Sequence, residues 1–181
     1  MSLRLFAALA IPDDIADRLI AIQKGVPGAR WRPRENLHLT LRFFDQVQEP
    51  VADELDAALE EVALRTRPLD VQLKGAGAFG GAEPHSLIIR AEAGDALVKL
   101  AADCERAARR VGLKPETRKF TPHVTVAYLH HTELARVQAF ERAHALFAPT
   151  PFRVAEIGLY SSWHKQNAPN LYRLEASYRL V

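Results

Sequence analysis

The sequence holds a single cysteine, Cys104, among 181 residues. That excludes an intrachain disulfide, so an apolar core must carry the fold. Cys104 lies in an apolar-periodic segment and reads as a small buried hydrophobe rather than a nucleophile. Long apolar runs are missing too: none reaches the roughly 18 residues of a membrane span. The N-terminal run Leu5 to Ile11 is short, and Pro12-Asp13-Asp14 opens a helical pattern directly after it. It reads as a buried strand, not a targeting segment. Charge of one sign is scarce. A net charge of +2 permits an anionic ligand without arguing for one. No low-complexity tail or long linker divides the chain. With 48% hydrophobic residues, these absences point to one domain, or one domain of two similar lobes, in the reducing cytoplasm.

Two short segments stand out. One reads His38-Leu39-Thr40-Leu41 and the other His123-Val124-Thr125-Val126, 85 positions apart. Each alternates polar and aliphatic residues, the period of a half-buried strand. On a strand, His and Thr at i and i+2 share one face while the aliphatics share the other. Each segment can thus bury its aliphatics and show an imidazole and a hydroxyl to a groove.

The surrounding pattern repeats. Strands are expected at Leu3–Ile11, Leu37–Phe44, Leu69–Lys74, Ser86–Glu92, Thr121–Leu129, Phe152–Tyr160 and Leu171–Leu180. Helices are expected from Asp13 or Asp14 as cap to Lys24, from Glu49-Pro50 to Thr66, from Asp95 to Val111, and from Thr132 to Phe147. The order His strand, helix, strand, loop, strand occurs at 37–93 and again at 121–180. The expectation is a single α+β domain over residues 1–181. It is bilobal, with a pseudo-twofold internal repeat and two mainly antiparallel sheets around a central cleft, helices outside.

Two imidazoles suit displacement at phosphorus. One deprotonates the attacking oxygen and the other protonates the leaving oxygen, with unperturbed pKa values near 6.5. Two threonine hydroxyls can donate to the non-bridging phosphate oxygens. A metal site would need more donors: no third ligand stands at sensible spacing from His38 and His123. No metal and no cofactor is expected.

The paired motifs, with Arg42-Phe43 after the first and Thr121-Pro122 before the second, resemble the 2H phosphoesterase superfamily. Arg4-Leu5-Phe6-Ala7-Ala8, Glu35-Asn36-Leu37 and Leu159-Tyr160-Ser161-Ser162 are similar to its branch of RNA 2′,3′-cyclic phosphodiesterases, also called 2′-5′ RNA ligases. The resemblance implies metal-independent opening of a 2′,3′-cyclic phosphate at RNA 3′ ends to a 2′-phosphate, with 2′-5′ ligation as related reverse chemistry. It implies His38 as proton donor, His123 as proton acceptor, and Thr40 and Thr125 on phosphate oxygens; a pseudo-symmetric site leaves the two histidine roles exchangeable. The sequence departs from the family at Tyr128, where an arginine is usual five residues after the second His. Arg42, on the His38 face of a regular strand, and Arg118 are the candidates to supply that cation. The partner is then an RNA 3′ end or a small cyclic nucleotide, met by a monomer. A nucleotide- or RNA-binding module that keeps the pocket without turnover is the competing expectation.

Other motifs carry less. Gly75-Ala76-Gly77-Ala78-Phe79-Gly80 matches G-x-G-x-x-G but leads into a strand rather than a helix, so it reads as a hairpin link. Phe79 and His85 on it are the side chains placed to meet a base. His130-His131, His144, the Trp163–Asn167 loop and the Arg106, Arg109, Arg110 face read as surface or structural features.

Overall fold

Alternation sets the first strand. In the computed structural model, which describes residues Met1–Val181, strand β1 (Ser2–Ala10) sends Leu5, Ala7 and Leu9 into the main core. Phe6 and Ala8 are buried but stand outside that core, on the other face. Helix α1 (Asp13–Ala21) follows. Its N-cap is Pro12; Asp13 and Asp14 do not cap but sit in the first turn, where the helix dipole favours acids.

A short strand β2 (Ala29–Trp31), which the sequence pattern did not announce, leads through a 3₁₀ turn (Arg34–Asn36) into β3 (His38–Gln48). Helix α2 (Glu49–Leu64) buries Leu55, Ala58, Leu59 and Val62 along the expected stripe. Strands β4 (Leu69–Phe79) and β5 (Ser86–Glu92) form a hairpin. Helix α3 (Gly94–Arg110) and strand β6 (His123–Leu129) come next, then helix α4 (Leu134–Ala143). The expected last-but-one strand is broken at Ala155 into β7 (Phe152–Val154) and β8 (Glu156–Trp163), and β9 (Leu171–Arg179) ends the sheet.

The glycine-rich stretch is strand, not link. Gly75 takes φ +77° at a bulge in β4, where its N–H donates to Phe147 O at 2.8 Å. A Cβ on Gly77 would lie 2.5 Å from the Arg90 guanidinium. The left-handed φ favours glycine at Gly75, and at Gly77 the missing side chain leaves room for the Arg90 guanidinium. The turn is confined to residues 80–85.

All pairings are antiparallel, in the order β7-β4-β5-β6-β3-β1-β8-β9, with β2 also on β6. The halves β3-β1-β8-β9 and β6-β5-β4-β7 are joined in the ladder by one residue pair, Leu39–Val124. The expected two sheets are thus hydrogen-bonded at a single point. Strand β4, which follows α2, joins the half built on β6. Strand β8, which follows α4 and β7, joins the half built on β3. The sequence repeats at 37–93 and 121–180 each straddle both halves.

Candidate active site

The two His strands are held alike. In β1–β3, Ala10 faces His38, Ala8 faces Thr40 and Phe6 faces Phe43. In β5–β6, Arg90 faces His123, Ile88 faces Thr125 and Ser86 faces Tyr128. Each ladder slips by one residue directly after the threonine, at Leu41 and at Val126. Such bulges bend a strand and re-aim the side chains beyond them. Leu39, Leu41, Val124 and Val126 enter the core, while His38, Thr40, His123 and Thr125 are half-buried and line one cleft of about 670 Å³. The Leu39–Val124 pair is antiparallel. Because the two strands run in opposite directions from that pair, His38 lies toward the Thr125 side and Thr40 toward the His123 side of the shared cleft.

The histidines differ in surroundings. His38 lies among aromatic rings, with Tyr160 at 4.6 Å, Tyr172 at 5.5 Å and Phe6 at 6.0 Å between centroids. Desolvation there pushes its pKa down to about 4, opposed by the backbone of Asn36. Its Nδ1 is buried without a hydrogen bond of regular geometry. His123 packs edge-on to Phe79 at 4.8 Å. Its Nδ1 lies 2.6 Å from the Thr121 carbonyl, which fixes the tautomer with hydrogen on Nδ1 and leaves Nε2 an open acceptor. Burial lowers its pKa, and the Thr121 contact opposes the shift. The backbone two residues upstream thus orients His123, whereas His38 is held by the rings around it.

The candidate arginines are otherwise engaged. The bulge at Leu41 sets Arg42 opposite Ala7, whose side chain is in the core, rather than on the Thr40 face. Its Nε donates to Glu105 at 2.5 Å, Nη2 to Lys114 O at 2.5 Å, and Nη1 to Phe43 O. Arg42 lines the cleft with its donors committed to Glu105, Lys114 O and Phe43 O. The expectation of a regular strand fails because the extra residue reverses the alternation. Arg118 lines the cleft rim but is paired with Glu116 of its own loop at 3.2 Å. The Arg118 side chain and N–H hold that carboxyl down to about 2.

Phe79 and His85 do line the cleft. So do Phe6, Phe43, Tyr172 and Arg32, none of which the sequence assigned to the site. The one available signal for Arg32 was its place in a loop directly before a His strand. Asn36, 7% exposed, donates from Nδ2 to Asn170 O at 2.8 Å and ties the β8–β9 hairpin to the start of β3. His130, His131 and His144 lie outside the cleft lining. No three His, Cys, Asp or Glu side chains converge as a metal site would need. No helix is long and apolar enough to cross a membrane.

Residues 11–165 match the family model of the 2′-5′ RNA ligase superfamily. The chain is 36% identical over 95 residues to an RNA 2′,3′-cyclic phosphodiesterase of Aeropyrum pernix, covering 51% of this chain and 53% of that one. It is 28% identical over 132 residues to one of Aquifex aeolicus, covering 71% and 66%. The matched region thus spans about half to two thirds of the length of these relatives. Among solved structures, Escherichia coli LigT complexed with 3′-AMP superposes with a TM-score of 0.81 at 24% identity, over 99% of each chain. TT0787 of Thermus thermophilus superposes with 0.84 at 21% identity, over 98% of each. These likenesses establish the fold.

Proposed function

The chain belongs to the 2′-5′ RNA ligase superfamily, and we propose that it hydrolyses 2′,3′-cyclic phosphates at RNA 3′ ends to 2′-phosphates, without a metal. The observation that carries the reading is the Leu39–Val124 pairing, which sets two imidazoles and two hydroxyls around one cleft.

His123 Nε2 takes a proton from water. The water oxygen attacks phosphorus, the P–O3′ bond breaks, and His38 gives its proton to O3′. The product carries a 2′-phosphate and a 3′-hydroxyl, and the proton on His123 returns to His38 through solvent. The Nδ1 contact of His123 supports it as the acceptor. His38 is neutral at pH 7 in the free protein; a bound phosphate anion favours the imidazolium and loads it. Thr40 and Thr125 donate to the non-bridging oxygens, which gain charge in the transition state. Attack by a ribose hydroxyl in place of water would give 2′-5′ ligation. The cleft, with aromatic walls at Phe43, Phe79 and Tyr172, suits a nucleoside attached to the cyclic phosphate.

His38→Ala and His123→Ala test the reading: each should lower turnover by about 10²–10⁴-fold with folding intact. Turnover like wild type in either variant would sink it. A second reading, a binding module without turnover, rests on Tyr128, which stands five residues after His123 where an arginine is usual. Binding of a 2′-phosphorylated nucleotide with no turnover of any cyclic phosphate would select it.

A further inference from the structure

We propose that Arg32 is the phosphate-binding cation of this cleft, held in place by Tyr128. Arg32 is 8% exposed and lines the cleft, yet it forms none of the chain's salt bridges. No carboxylate answers this guanidinium, so its charge is left for an anion that enters the cleft.

Its position is fixed from both sides. Strand β2 pairs with β6, so that Arg30 faces Tyr128 and Trp31 faces Ala127. The next residue, Arg32, donates its N–H to Val126 O at 2.9 Å, and its own carbonyl accepts from Gln23 Nε2 at 2.9 Å. The backbone of Arg32 therefore sits beside the bulge that follows Thr125. Its guanidinium carbon lies 4.8 Å from the centre of the Tyr128 ring, within cation–π range. Arg32 and Tyr172 line the same cleft, where the guanidinium opposes the upward shift that burial gives the Tyr172 hydroxyl, and the Tyr172 ring lies 5.5 Å from that of His38. Arg32 thus bridges the surroundings of both His strands. Arg42 is bound to Glu105 and to two carbonyls, and Arg118 to Glu116.

The ligand class is a nucleotide phosphate, and a 2′-phosphomonoester is held more tightly than the cyclic diester because it carries more charge. The inference rests on the proposed phosphodiesterase reading for the identity of the phosphate, but it is tested by binding alone.

Titration calorimetry with adenosine 2′-monophosphate and with inorganic phosphate compares wild type, Arg32→Met, Arg32→Lys and Arg118→Ala. Arg32→Met keeps the apolar stem, and thermal unfolding of each variant reports that it is folded. Arg32→Met should weaken the nucleotide by about 10- to 100-fold. Arg32→Lys, which keeps charge but loses the planar fork, should restore part of that. Arg118→Ala should bind within about twofold of wild type. Wild-type affinity in Arg32→Met, the main loss in Arg118→Ala, or no binding of either probe by wild type overturns the inference. Loss in Arg32→Met together with a wild type that turns over no cyclic phosphate leaves the inference standing and removes the hydrolytic reading instead.

Discussion

Leu39 and Val124 are the one pair that joins the two His strands in the sheet ladder, and both side chains are fully buried. Because alternate residues of a strand face opposite ways, burying this pair turns its neighbours His38, Thr40, His123 and Thr125 to the cleft. Core packing and site assembly are therefore one event. Leu39→Ala should cost about 2–5 kcal/mol, as buried leucine truncations do, and should lower activity beyond what the unfolded fraction explains. Urea unfolding with kinetics on the same samples checks this; a destabilised protein with unchanged kcat per folded molecule would separate the two.

The threonines should matter to chemistry and hardly to folding. Thr40→Val and Thr125→Val keep shape and remove one hydrogen bond to a charged phosphate. Each should lower kcat/KM by about 10- to 100-fold, with stability changed by no more than about 0.5 kcal/mol. Steady-state kinetics and thermal unfolding together read both.

Acid should act on the fold through His38. Between its ordinary value near 6.5 and the folded value of about 4, the unfolded chain binds a proton that the folded chain refuses. Stability should fall as pH drops through that window, and less so in His38→Ala. In catalysis the active form has one imidazole protonated and one neutral. For the free enzyme, whose histidines are both depressed, kcat/KM should peak below pH 6.5. The bound anion raises the imidazolium pKa, so the alkaline limb of kcat should lie at higher pH. Coincident limbs would mean that substrate charge does not load the acid.

Arg42 should prove structural. Its pair with Glu105 is largely buried, with side chains 8% and 23% exposed. Removing one partner leaves the other charge unpaired. Arg42→Met should therefore cost about 3–5 kcal/mol, and Arg42→Met/Glu105→Met should recover part of it. A double-mutant cycle by chemical denaturation reads the coupling.

The His strands were legible because their alternation and their doubling are local. The helical stripes of α2 and α3 were legible for the same reason: Leu55, Leu59 and Val62 fall on one face by spacing alone. What escaped depends on partners distant in sequence. The bulges at Leu41 and Val126 exist only in the pairings with β1 and β5, and they overturn the placement of Arg42. Strand β2 is three residues that gain meaning from β6. The glycines of β4 looked like a link because what they meet, the Phe147 carbonyl at Gly75 and the Arg90 guanidinium at Gly77, comes from elsewhere in the chain. Arg32 escaped because a cation's burial cannot be read from its sequence neighbours.

The most direct measurement is ³¹P NMR of a short RNA ending in a 2′,3′-cyclic phosphate, incubated with the purified protein in the presence of EDTA. The expected result is loss of the cyclic signal and growth of a 2′-monophosphate signal alone, with neither change for His38→Ala or His123→Ala. A cyclic phosphate left intact by folded wild-type protein, or one opened equally well by either variant, would contradict the assignment of this cleft as a two-histidine phosphodiesterase.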